Sequence, residues 1–167
     1  MSLNVTNRPL TPSDFPAISS LHARVFGPGR FTRTAYRVRE GAAPVSPYCS
    51  VAHLGSQLIA AVRFTPITIG AAGGALLLGP LAVDPDFAGQ GFGKRLISNA
   101  LQAAKGDGVK LVVLVGDEPY YGRFGFGPIP LQQITLPGPV NPQRLLAAEL
   151  QDGALAKFSG LVAPQRA

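Results

Sequence analysis

The stretch from Leu76 to Val115 constrains the fold more than any other. Leu76-Leu77-Leu78-Gly79-Pro80-Leu81-Ala82-Val83 is a nearly unbroken apolar run, the pattern of a strand buried on both faces. Gly89-Gln90-Gly91-Phe92-Gly93-Lys94 follows, and then Leu96, Ile97, Ala100, Leu101 and Ala104 recur at helical spacing until Gly106 and Gly108. Leu111-Val112-Val113-Leu114-Val115 is a second apolar run of strand length. Strand, helix and strand in this order predict a βαβ unit, with parallel strands and a right-handed crossover.

The residues before this unit read as antiparallel. The segments 48–54 and 58–69 are rich in Val, Ile, Phe and Thr, and Gly55-Ser56 between them is a hairpin turn. A second turn over 70–74 leads into 75–83 and completes a meander. At the N-terminal side, 4–10 reads as a strand and Thr11-Pro12-Ser13-Asp14 as a helix start. Phe15, Ile18, Leu21, His22 and Val25 then mark a helical face, stopped by Gly27-Pro28-Gly29. A second short helix is expected over 33–40. After Val115, a short helix is expected over 120–124, strands over 132–136 and 154–162, and a helix over 142–150. The expected class is mixed α/β, α+β in arrangement, with 1–167 forming one domain, as the length of 167 residues suits.

Composition narrows the function classes. With 46% hydrophobic and 14% charged residues, the chain can bury enough surface to fold, so disorder is excluded. Cys49 is the single cysteine, which excludes an intramolecular disulfide and suits a reducing compartment; the cytoplasm is the expected location. The opening Met1-Ser2-Leu3-Asn4 lacks the basic start and apolar core of a secretory signal. The segment 64–83 is uncharged and about as long as a membrane span. Pro66, Gly70, Gly73, Gly74, Gly79 and Pro80 punctuate it, however, so it suits two strands, and no membrane partner is expected. The net charge of +6 attracts anions in general. Arg24, Arg30, Arg33, Arg37 and Arg39 crowd one region and read as a solvated face. Without zinc-finger spacing or an aromatic nucleic-acid motif, no nucleic-acid partner is expected.

The glycine-rich loop carries the first chemical signal. Alternating glycines let backbone N–H groups converge, the following helix start adds partial positive charge, and Lys94 adds a full one. Such a site takes phosphate or pyrophosphate; a purely structural turn fits the loop equally well. The nucleotide P-loop does not fit, because Ala88 stands where its first glycine is required and Arg95 where a hydroxyl is required. The dinucleotide fingerprint fails too, because its third glycine falls on Lys94.

Three pieces together resemble the GNAT superfamily of N-acetyltransferases. They are Val83-Asp84-Pro85 at the end of an apolar strand, Ala88-Gly89-Gln90-Gly91-Phe92-Gly93 at a helix start, and Tyr121-Gly122-Arg123-Phe124-Gly125-Phe126 after the second strand. The Gly116-Asp117 to Phe126 segment and Arg39-Glu40-Gly41 are most similar to a bacterial branch of acetyltransferases with undefined substrates. The resemblance implies a three-layer fold: a central, mostly antiparallel twisted sheet with a splayed parallel pair, flanked by helices. It also implies acetyl-CoA as cosubstrate, no metal, and a small-molecule or protein amine as acceptor. A homodimer paired through C-terminal strands is common in such proteins.

The resemblance also assigns roles. Leu81, Ala82 and Val83 would pair with the pantetheine amides and supply an N–H to the oxyanion, with Gly79 and Pro80 forming a bulge that frees this edge. Gly89, Gln90, Gly91, Phe92, Gly93 and Lys94 would hold the pyrophosphate. Tyr121, chosen over Tyr120 by the Y-x-x-x-G-F spacing, would protonate the leaving thiolate. Ala88 departs from the family's Gln or Arg; its retained N–H is expected to limit the cost to weaker binding. The base for the amine stays open among Glu40, Glu118, Asp117, His22, His53 and a water chain, with Asp117 equally readable as a helix cap. Arg30 and Arg33 are readable as contacts to an acidic acceptor or to CoA phosphates. The second reading, from a different class, is a CoA-binding sensor without turnover; Tyr121 speaks against it.

Overall fold

In a computed structural model, the structure describes residues 4–27, 38 and 45–165. Most of the expected helix over 33–40 lies outside the described residues, as do Arg30, Arg33, Arg37, Arg39, Glu40 and Gly41. The elements in chain order are β1 (Val5–Pro9), α1 (Phe15–Phe26), β2 (Ser50–Leu54), β3 (Gln57–Ile69), β4 (Ala72–Val83), α2 (Phe92–Gly106) and β5 (Leu111–Val115). Then come α3 (Glu118–Tyr121), β6 (Gly127–Pro128), β7 (Ile134–Thr135), β8 (Leu145–Glu149) and β9 (Gly160–Pro164).

The expected βαβ unit and meander are both present. The strand order is β1-β2-β3-β4-β5-β8-β6, with β9 pairing both β3 and β7 off that path. β4 and β5 are parallel, as the crossover through α2 requires; every other pair on the main path is antiparallel. β7 and β9 make a further parallel pair that the sequence pattern does not announce.

Alternation along the strands divides the interior into two layers. Val62, Phe64, Leu76, Leu78, Val112 and Leu114 point to the face covered by α2, where Leu96, Ile97, Ala100 and Ala104 meet them. Burying each large side chain there stabilises the fold by about 1.5–3 kcal/mol. On the other face, Ile18 and Leu21 of α1 pack on Val51, Ala61 and Ala82. Further along that face, Ile67, Leu77, Leu111, Val113 and Leu145 form a second cluster with Val38, Ile134 and Phe158. Helix, sheet and helix thus make the expected three layers.

Three expectations fail in the C-terminal third. The helix over 142–150 is a single 3-10 turn, Pro142–Arg144, followed by strand β8. The start signal is real, since Asn141 Oδ1 accepts the Gln143 N–H at 3.0 Å. But Leu145 to Ala148 are buried without interruption, and β8 pairs with β5 over its full length, Leu111↔Glu149 to Val115↔Leu145. Closing that edge outweighs the helix propensity of Leu, Ala and Glu, because five residues are too few for a stable helix. The strand over 154–162 is a 3-10 turn, Ala154–Lys157, and only then β9. The strand over 132–136 shrinks to Ile134–Thr135. Smaller shifts occur elsewhere: β4 starts at Ala72, inside the expected turn, and the short helix starts at Glu118 and continues as a 3-10 turn, Gly122–Phe124.

Candidate active site

The site is built where β4 and β5 part. They pair only at Ala75↔Leu111, Leu76↔Val112 and Leu77↔Val113. Beyond this point β5 turns to β8, through Leu114↔Leu146 and Val115↔Leu145. β4 stays with β3, through Leu81↔Val62, Ala82↔Ala61 and Val83↔Ala60. Between the pairs Phe64↔Leu78 and Val62↔Leu81, β4 carries one residue more than β3. This is the expected bulge, at Gly79 and Pro80. Among the described residues, the β5-facing edge of Leu81, Ala82 and Val83 has no strand partner. Leu81 and Val83 pack toward the α2 core while Ala82 is buried on the α1 side.

The glycine-rich loop sits at the end of that edge, and a buried carboxylate fixes its entry. Asp84, 3% exposed, accepts the Asp86 N–H at Oδ1 (3.0 Å) and the Arg24 guanidinium at Oδ2 (2.7 Å). Its own N–H donates to Ile59 O at 2.7 Å. The chain then makes a 3-10 turn, Pro85–Phe87, closed by Ala88 N–H to Pro85 O at 3.4 Å. The Ala88 N–H is therefore spent within the turn, which corrects the expectation that it stays available for phosphate.

From Gly89 to Lys94, by contrast, no backbone N–H has an acceptor among the described residues; the first helical bond is Arg95 N–H to Gly91 O, 3.0 Å. Gly89 and Gly91 hold φ of 78° and 86°, and a Cβ on either would meet nothing within 4 Å. The loop needs glycine there for its backbone, and the space above it is open. This run of donors lies at the N-terminus of a 15-residue helix, where anions are favoured. Lys94 is exposed beside it. Gly93 has a different task. A Cβ there would lie 3.0 Å from Val83 Cγ2 and 3.5 Å from Leu81 Cδ1, so glycine seats α2 directly on the β4 edge. Phe87 and Phe92 bracket the loop with ring centroids 6.4 Å apart.

Tyr121 rises at the end of β5, on the same end of the parallel pair. Its ring lies over Gly116, where a Cβ would be 2.5 Å from Tyr121 Cε2 and 2.9 Å from Cδ2. Tyr120 stands edge-on to it at 4.9 Å and Phe126 at 6.1 Å. Tyr121 belongs to the same packed cluster as Leu81, Val83 and Phe92. The structure thus brings the sequence-derived residues of edge, loop and tyrosine onto one end of the sheet. Tyr120 differs: the Arg123 guanidinium lies 4.9 Å over its ring, and burial raises its hydroxyl pKa above 10.0, opposed by the Arg123 charge.

The candidate bases are scattered. Asp117 occupies the N-cap position of α3 without a side-chain cap bond; its carboxylate, 73% exposed, lies 3.3 Å from Arg144 instead. Capping, the alternative expected for it, is therefore not what its side chain does. Glu118 is exposed in the first turn of α3. His53 Nε2 lies 2.8 Å from Arg8 Nη2, on β2. His22 is buried on α1 with its ring 5.5 Å from Phe26. Among the described residues no group of three His, Cys, Asp or Glu could hold a metal, and no helix is long and apolar enough to cross a membrane.

Asp84, Arg24 and Gly116 were not singled out as functional from the sequence. An Asp directly before a Pro is a turn-capping signal that could have marked Asp84. Nothing in the sequence joins it to Arg24, and Gly116, although part of the segment that carries the resemblance, gives no sign there of its contact with Tyr121.

The description "Acetyltransferase (GNAT) domain" matches residues 6–129, well over half of the chain. The chain belongs to the GNAT acetyltransferases. Among its relatives is an uncharacterized N-acetyltransferase of Escherichia coli strain K12, YhbS, 29% identical over 152 residues, which are 90% of each protein. The crystal structure of the Escherichia coli GNAT family N-acetyltransferase YhbS in complex with CoA superposes with a TM-score of 0.83 at 28% identity, covering 99% of this chain and 92% of that one. A GNAT family acetyltransferase of Brucella melitensis, in complex with acetyl-CoA, superposes with a TM-score of 0.64 at 27% identity, covering 92% and 99%. The observed sheet, with its splayed β4–β5 pair, is thus that of a GNAT fold, and structural neighbours bind CoA or acetyl-CoA.

Proposed function

We propose that the protein transfers an acetyl group from acetyl-CoA to a primary amine by direct attack. The observation that carries this reading is the continuous track made by the unpaired Leu81–Val83 edge and the run of acceptor-free N–H groups from Gly89 to Lys94. The track suits a ligand with amides at one end and a pyrophosphate at the other, the chemistry of pantetheine and its diphosphate. The CoA and acetyl-CoA complexes of the structural neighbours favour the same ligand.

In this reading the pantetheine amides extend β4 as an added strand. A backbone N–H of Leu81, Ala82 or Val83 donates to the thioester oxygen as it takes up charge. Such a fixed donor is worth about 3–4 kcal/mol in a dry cleft. The acceptor nitrogen forms a bond to the carbonyl carbon, the C–S bond breaks, and the thiolate takes the Tyr121 hydroxyl proton. The phenolate recovers a proton from water. We assign the amine's proton to solvent water as well: among the described candidates Asp117 and Glu118 are exposed, His53 is engaged by Arg8, and His22 packs within α1's buried face, while Glu40 lies outside the described residues.

The test is thiol release from acetyl-CoA in the presence of amines, comparing wild type with Tyr121→Phe. A positioned general acid contributes about 100- to 10,000-fold. A loss of that size in kcat, with acetyl-CoA still bound, supports the assignment. Binding without turnover in either protein would instead favour a CoA sensor.

A further inference from the structure

We propose that the apolar pocket lined by the segment 129–142, which links β6 to β8, and by Leu145 receives the body of the acceptor, so that the substrate is an amine carrying an aliphatic or aromatic group. This rests on the amine-acceptor reading above. The pocket holds about 400 Å³, the size of small-molecule sites, and none of its lining residues is charged. Ile129, Ile134 and Leu145 form its buried floor, while Leu131, 77% exposed, stands at its rim. A polyamine or a free amino acid would find no counter-charge here, whereas an alkyl or aryl group would exchange water for apolar walls.

Hydrogen bonds from Gln133 anchor the segment that lines the pocket. Gln133 Nε2 donates to Leu155 O at 2.8 Å and Phe158 O at 2.9 Å, and Gln133 O accepts the Gly160 N–H at 2.9 Å. The adjoining Gln132, which lines the pocket, is held at φ 69°, a conformation rare for a residue with a side chain and frequent at ligand sites. One end of the pocket lies at the C-terminal end of β5, on the side away from β4. Leu145 pairs with Val115, the last residue of β5, and the next N–H, that of Gly116 beneath Tyr121, donates to Arg144 O at 2.8 Å. The floor belongs to the cluster on the face opposite α2, whereas Tyr121 packs on the α2 face. In this proposal the amine reaches the thioester around the end of β5, from the face opposite the one on which Tyr121 packs.

The experiment measures thiol release at saturating acetyl-CoA with phenethylamine, hexylamine, methylamine, spermidine and glycine. It compares wild type with Leu131→Asn and with Thr135→Trp, two exposed pocket positions. We expect kcat/KM for phenethylamine and hexylamine at least about tenfold above spermidine and glycine, since apolar contacts discriminate by roughly 10- to 200-fold. Leu131→Asn should lower kcat/KM for phenethylamine about tenfold through KM, with kcat held. Thr135→Trp should exclude phenethylamine and spare methylamine. Equal or better rates for spermidine or glycine, or variants without effect, overturn the proposal. So does sedimentation showing a dimer that Leu131→Asn dissociates with amine kinetics unchanged, which would give the pocket to a second copy. Calorimetry of phenethylamine binding separates the two readings. Binding weakened by Leu131→Asn without any thiol release leaves the pocket in place and sinks the transferase; thiol release without apolar preference does the reverse.

Discussion

Gly116→Ala should disable the site without touching a reacting atom. The added Cβ would stand 2.5 Å from Tyr121 Cε2, 2.9 Å from Cδ2 and 3.1 Å from Leu114 Cδ1. Carbon atoms rest about 3.5–4.0 Å apart, so the ring must retreat by roughly 1 Å. Gly116 is not among the residues with positive φ, so the backbone itself accepts alanine and the effect falls on the ring. Misplacing a catalytic group by about 1 Å costs on the order of 100-fold, and overpacking costs about 1–3 kcal/mol of stability. We therefore expect kcat to fall about 100-fold, with the acetyl-CoA thermal shift retained. The double variant with Tyr121→Phe has no hydroxyl to misplace, so it should turn over about as slowly as Tyr121→Phe alone, a non-additivity that marks direct coupling. A folded Gly116→Ala protein with kcat within about threefold of wild type would refute the packing of Tyr121 on Gly116 or its role as proton donor.

Further outcomes follow from the same geometry. Asp84→Ala removes the cap of the 85–87 turn and the Arg24 ion pair; calorimetry should show a loss of about 1–2 kcal/mol together with weaker acetyl-CoA binding. Gly91→Ala places a side chain at φ 86° in open space, so it should cost about 1–2 kcal/mol by denaturant titration and loosen CoA binding, with no steric block to relieve. The Arg8 guanidinium, through hydrogen bonds to Asp14, lowers that carboxyl from 3.8 to about 2. Because the folded-state pKa lies below the unfolded one, this stabilisation is full above pH 3.8 and fades as pH falls through about 2. Acid titration of Arg8→Ala, followed by circular dichroism, should show unfolding beginning at higher pH than in wild type.

The middle of the chain was legible because each level of pattern agreed there. Leu76 to Val83 and Leu111 to Val115 are apolar without interruption, α2 shows one clean face, and glycines mark the joins. The edge, the loop and Tyr121 fell where the motifs put them, since a βαβ unit fixes which strand ends are neighbours. The last third misled because its elements are short and set by partners distant in sequence. Leu145 to Glu149 has helical composition, and only the open edge of β5, some thirty residues earlier, makes it a strand. The pairing of Asp84 with Arg24, and of Gly116 with Tyr121, is illegible in the sequence for the same reason: it is made by contacts across the fold. Ala88 shows the converse. Its N–H is present in the sequence, but whether it faces a ligand or closes a turn is decided by the conformation after Pro85.

The most direct measurement is thermal unfolding with excess acetyl-CoA, CoA, ATP and NAD in parallel, at two salt concentrations. A ligand bound only by the folded chain raises the midpoint by mass action, about 2.7 kcal/mol at a hundredfold excess over Kd. Acetyl-CoA and CoA should raise the midpoint while ATP and NAD leave it unchanged, and Lys94→Ala should shrink the rise most at low salt. No response to CoA, or a larger response to ATP or NAD, would contradict the assignment of the Leu81–Val83 edge and the Gly89–Lys94 loop to acetyl-CoA.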